Sequence, residues 1–166
     1  MERYEPATAS PDLPVVRAWV ERNPDVRARL TETTEHGGGR VVLVVSVPDH
    51  DDLVRARTEI SPLVDHADLL RFRRWQPSEQ EAEWTLQWVL GLMRRQRELA
   101  LPTEVASVGR HVVSGLIEVW LDKVDRDYAA ELEARGDGLL FVAPHPDTGV
   151  SLAAGWTREP PRVKLP

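Results

Sequence analysis

The chain has 166 residues, 42% hydrophobic and 29% charged, with no cysteine and a formal net charge of −6. That length suits one domain or two small halves sharing a core, and the balance argues against general disorder. The lack of cysteine excludes thiolate zinc sites, iron–sulfur clusters, disulfides and a thiol nucleophile, and the acidic charge argues against whole-surface attraction to phosphate.

Residues 1–14 hold Pro6, Pro11 and Pro14 among small polar residues and read as an N-terminal arm. They carry acid and proline where a signal peptide has a basic patch and an apolar core. No window approaches the ~18 continuous apolar residues of a membrane span, so a cytoplasmic protein is expected. Residues 15–22 predict a short helix stopped at Asn23-Pro24. In 25–34, Val26, Ala28 and Leu30 alternate with polar residues and predict a half-buried strand. A triple glycine follows, then the apolar, β-branched run 40–47, expected as a strand buried on both faces. "PDHDDLVRARTEI" (48–60) starts a helix capped by Asp49 or Asp51, with Leu53, Ala56 and Ile60 as its buried stripe. "DLLRFRRW" (68–75) closes the unit as a strand with Leu70 and Phe72 on one face.

The longest predicted helix spans 77–100. Ser78 and Glu81 form a capping box, acids fill the first turns, and Arg94, Arg95 and Arg97 fill the last. Trp84, Trp88 and Leu92 recur at four-residue spacing, with Leu86, Val89, Leu90 and Met93 widening the apolar face. Gly91 inside this helix points to close approach of another element. A second hairpin is expected in 104–124, with its turn near Ser114-Gly115. A helix opened by Asp125 follows and stops at Gly136. "LLFVA" (139–143) reads as a last short strand, and the remainder as a loop and tail rich in proline and glycine.

The order helix, strand, strand, helix, strand thus occurs twice. Residues 39–54 align without gaps on 115–130, setting Gly39 on Gly115, Leu43 on Val119, Asp49 on Asp125 and Asp51 on Asp127. After a gap, Leu69-Leu70 fall near Leu139-Leu140. The expected fold is α+β: two related αββαβ halves, with an antiparallel or mixed sheet packed against helices. The divisions are an arm (1–14), a first half (15–76), a second half (77–144) and a C-terminal loop and tail (145–166). The element order resembles that of small αββαβ modules such as BON domains. The hairpin, helix and strand within 104–143 are also similar to the pro-regions of streptogrisin-type secreted proteases. Both resemblances imply fold only and assign no residue a role.

Four segments could carry chemistry. "HGGG" (36–39) is an oxyanion-hole motif in some hydrolases, where it follows a core strand. Here the apolar strand comes after it, and no G-x-S-x-G elbow occurs, so it reads as a hairpin turn. His50 and the aspartates of "PDHDD" could ligate a cation, but their repeat partner "VDRDY" keeps the aspartates and loses the histidine, as a helix cap requires. "RFRRW" (71–75) interleaves arginine with aromatics, as nucleic-acid binders do, or is a strand blunted by charge. His145 and Asp147 could form an acid–base pair in a loop. No dinucleotide, P-loop or kinase signature occurs, and no cofactor, metal or catalytic set is assigned.

The expectation is therefore a non-enzymatic binding or protein–protein interaction domain, meeting another protein or itself through Trp84, Trp88, Arg71, Arg73 and Trp75. One alternative is a small enzyme drawing on His50, Asp51, Asp52, His111 or His145. Another is nucleic-acid binding through the Arg/aromatic patch, which the net charge argues against.

Overall fold

The computed structural model describes residues 10–38 and 40–145. The helices are α1 (Leu13–Arg22), α2 (His50–Ile60), α3 (Glu79–Leu99) and α4 (Arg126–Arg135). The strands are β1 (Arg29–Thr34), β2 (Val41–Val47), β3 (Leu70–Arg74), β4 (Val105–Arg110), β5 (Ile117–Leu121) and β6 (Leu140–Val142). They form two three-stranded mixed sheets, ordered β1-β2-β3 and β4-β5-β6. In each sheet the first pair is antiparallel and the second parallel. The fold is α+β, with the αββαβ order present in both halves.

The likeness extends to register. Thr34 faces Val41 and Glu32 faces Leu43 in the first hairpin, while Arg110 faces Ile117 and Val108 faces Val119 in the second. One constant offset relates all these pairs, and it also carries Asp49 onto Asp125. Both aspartates cap the following helix, accepting from the amide three residues on, at 2.9 Å in each case. The match ends at a bulge between Val105 and Ser107. The third strands are set differently from the expected alignment. Leu43 pairs with Leu70 and Val119 with Val142, so Leu70 corresponds to Val142 and not to Leu140. Two short 3₁₀ segments, Ser61–Leu63 and Ala67–Leu69, lengthen the first half's path to its last strand.

Each sheet buries one face against its own helices. Leu43, Val45 and Val47 pack with Val16, Trp19, Leu53, Ala56 and Ile60; Ile117, Val119 and Leu121 pack with Val89, Tyr128 and Leu132. Side chains alternate across a strand, so Val42 and Val44 lie on the other face of the first sheet, and Glu118 and Trp120 on the other face of the second. These are buried too, all at 5% exposure or less. Arg73 of β3 lies over the ring of Phe141 of β6, 4.8 Å from its centroid, which joins those second faces.

Three further expectations need correction. Residues 24–26 form a 3₁₀ turn and not the start of a strand. Pro24 favours that turn, and Arg27 at φ 53 reverses the chain, so alternation becomes a strand only from Arg29. The buried stripe of α3 runs through Ala82, Val89 and Leu90, with Trp84 65% exposed on the opposite side. Finally, a Cβ at Gly91 would meet nothing within 4 Å, so no element of the described chain approaches it.

Candidate functional site

The turn between β1 and β2 reaches the second half. Glu35 N donates to Arg40 O (3.2 Å) and Gly38 N to Glu35 O (3.0 Å), closing the turn. Gly37 and Gly38 have φ of 88° and 69°, values that favour glycine. At Gly37 there is no room for a side chain either: an added Cβ would lie 2.8 Å from Val124 Cγ1. His36 is 5% exposed. Its Nδ1 lies 3.0 Å from Ala143 O, and its Nε2 accepts from Asp125 N at 3.1 Å. A carbonyl takes only a donor and an amide needs an acceptor, so the ring carries its proton on Nδ1. Gly38 O accepts from Arg126 Nη2 at 2.7 Å. The described part of the segment that suggested an oxyanion hole, residues 36–38, lies in a turn, and the His36 ring and the Gly38 carbonyl fasten one half to the other.

Beside this turn lies a cluster of ion pairs. The Glu35 side chain is 4% exposed and bonded by both Nε and Nη2 of Arg40, with Arg71 Nη2 at 3.3 Å and Arg126 Nε at 3.6 Å. Glu133 of α4 faces Arg71 Nε at 3.5 Å and Arg73 Nη2 at 3.7 Å, and it accepts from the edge amide of Val142 at 2.9 Å. Arg71 Nη1 also donates to Asp68 O and Leu70 O. Burial pushes the Arg73 guanidinium below its ordinary pKa, and Glu133 opposes that shift. The Glu35 contact raises the pKa of Arg40, holding it charged. Next to the cluster an open cleft of about 570 Å³ runs between the halves, lined in part by Leu70, Phe72 and Ala130. A smaller space of about 20 Å³ lies beside His36 and Arg73; it suits about one water molecule.

The five predicted partner-binding residues occupy three separate places. Arg71 and Arg73 are in the ionic cluster, with side chains 21% and 15% exposed. Trp75 lies under the guanidinium of Arg29, at 4.2 Å. Trp88 is half-buried with Arg135 over its ring at 5.2 Å, and Trp84 projects from the solvent side of α3.

The residues named for an enzyme are dispersed, and none lines the cleft. His50 pairs with Asp137 at 2.8 Å. Asp51 and Asp52 sit in the first turn of α2. His111 Nδ1 lies 2.9 Å from Ser114 Oγ in the second hairpin turn, and burial lowers its pKa. His145 is beside His36 and Asp122 O. Asp147 lies outside the described residues. Among the described residues, no three His, Asp or Glu side chains are grouped to hold a metal ion.

Sequence reasoning passed over Glu35, Arg40, Arg126 and Glu133. It noticed His36 through the neighbouring glycines, but Glu133 gives no local signal, being one acid among several on a helix. No protein-family model and no curated protein matches the chain. No helix of the described residues is long and apolar enough to cross a membrane.

Proposed function

We propose that the protein is a non-enzymatic interaction protein that acts through the solvent face of α3, and that its partner there is a second copy of the same chain. The observation that carries this reading is Trp84, 65% exposed on the side of the helix opposite Ala82 and Val89. A tryptophan presents a large apolar area with little rotamer entropy to lose, so it recurs at the centres of interfaces. At 3.6 residues per turn, Gly91 lies on the same face about 10 Å further along. Nothing lies within 4 Å of where its Cβ would stand, so an indole can approach the helix backbone there.

Charge argues for a copy of this chain, packed antiparallel. Glu79, Glu81 and Glu83 lie in the first turns of α3, with Glu79 already paired to Arg110 and Glu81 to Arg74, and Arg94, Arg95 and Arg97 lie in the last. A twofold axis near Gln87 sets Trp84 against Gly91 of the partner subunit and the acidic end of one helix beside the basic end of the other. Such an isologous contact uses one patch twice. Sedimentation velocity over a concentration series tests the reading. A monomer–dimer equilibrium is expected, and both Trp84→Ala and Gly91→Leu should shift it to monomer without changing the circular dichroism spectrum. A chain that stays monomeric throughout, or a dimer indifferent to both substitutions, overturns it.

A further inference from the structure

We infer that the cleft between the two halves binds a small organic monocarboxylate with a short apolar body. Its volume of about 570 Å³ falls within the range usual for small-molecule sites, roughly 300–1,000 Å³. Phe72, Ala130 and Ala134 supply apolar lining beside the charged groups, and Leu70 lies behind them in the first half's core. Beside this lining stand guanidinium groups with donors to spare. Arg57 lies over the Phe72 ring, 5.8 Å from its centroid, and makes no ion pair among the described residues. Arg126, half exposed, gives Nη2 to Gly38 O and holds Glu35 only at 3.6 Å. Arginine's planar fork is matched to a carboxylate, and a guanidinium resting on an aromatic ring is held in place for it.

The acids of the cleft decide how much charge the ligand carries. Glu35 and Glu133 are turned inward and already occupied by Arg40, Arg71, Arg73 and the Val142 amide. Asp68 and Asp127 remain at the rim, and only Asp68 is tied, to Arg40 at 3.0 Å. Two aspartates at the mouth repel a multiply charged anion such as phosphate. They tolerate a single carboxylate set against Arg57 and Arg126, with its hydrocarbon on Phe72 and Ala130.

Isothermal titration of the full chain with hexanoate, 1-hexanol and inorganic phosphate separates the two requirements. Hexanoate should bind with saturation, and hexanol and phosphate should each be at least about tenfold weaker, the value of one charge-assisted contact. Arg57→Gln should weaken hexanoate about tenfold while moving the thermal midpoint only slightly, because Arg57 is exposed and its one described side-chain contact is with the Phe72 ring. Arg126→Gln serves as the second variant, with its melting curve recorded beside it. Equal affinity for hexanol, tighter binding of phosphate, no saturable binding of hexanoate, or an unaltered Arg57→Gln each overturns the assignment.

Discussion

At the scale of single residues, His36 does more than its neighbours suggested. A histidine before three glycines invited comparison with a catalytic loop, but its partners are Ala143 and Asp125, 107 and 89 residues away. That separation is why the role was not legible: nothing local distinguishes a ring that hydrogen-bonds across the molecule from one facing solvent. His36→Ala leaves a part-buried amide and a buried carbonyl unpaired, each costing about 1–3 kcal/mol where water does not replace the ring. The variant is expected to lose about 2–4 kcal/mol of unfolding free energy in urea, and a loss below about 1 kcal/mol would show that water replaces the ring freely. Glu118 makes a different test. It is 5% exposed, with Trp120 Nε1 donating to it at 2.7 Å. Burial raises its pKa above the ordinary 4.5, and the indole bond only partly opposes this. The folded state then holds the proton more tightly than the unfolded state. Its contribution is complete below the ordinary value and lost as pH rises through the raised one. Glu118→Gln keeps an acceptor for the indole and removes the ionisation. It should be more stable than the parent at neutrality, with the gap closing in acid. A gap that widens on acidification would contradict this.

At the scale of elements, much of the structure was legible because the signals are short-range. The Ser78–Glu81 capping box forms as its spacing implied, each side chain bonding the other's backbone amide. The run 41–47 is almost continuously buried, as its β-branched composition implied. Asp49 and Asp125 both cap helices from matching positions in the two halves. Asp49→Ala should cost about 1 kcal/mol. Asp125→Ala should cost a similar amount and no more, because its link to His36 runs through the backbone amide, which alanine retains. Denaturant midpoints of the two variants compare them directly. A much larger loss at Asp125 would mean that the cap also positions the joint. The misreadings arose where one pattern fits two arrangements. Val26, Ala28 and Leu30 alternate as a strand does, yet the first of them belongs to a 3₁₀ turn and Arg27 breaks the path. Trp84 and Trp88 share a helical spacing with the buried stripe, but spacing alone does not say which side of the helix the core lies on. Leu86, Val89, Leu90 and Met93 outweigh the indoles, and Trp84 is left outside.

At the scale of the whole molecule, the joint between the halves depends on charge held in little water. Glu133 sits between Arg71 and Arg73 and also pairs the free amide at the edge of β6. No pattern in the sequence announces this, since the arginines come from β3 and the glutamate from α4, and only the packing of two sheets brings them together. Ion pairs removed from solvent return little net stability when intact, because desolvation offsets the attraction. Breaking one is another matter. Glu133→Ala would leave two adjacent guanidinium groups, both largely shielded from water, without their shared acid, and would strip the Val142 amide of its acceptor. The expected loss is about 3–5 kcal/mol, and high salt should recover little of it, because screening acts weakly on groups away from water. The same geometry predicts how the parent unfolds. Separating the halves breaks the His36 bonds to Ala143 and Asp125, the Glu133 pairs with Arg71 and Arg73, and the contact of Arg73 with Phe141. The parent should therefore unfold in one transition, reported alike by tryptophan fluorescence and far-ultraviolet circular dichroism. Two resolved transitions in the parent, or a Glu133→Ala variant as stable as the parent, would show that the halves are held by something other than this cluster.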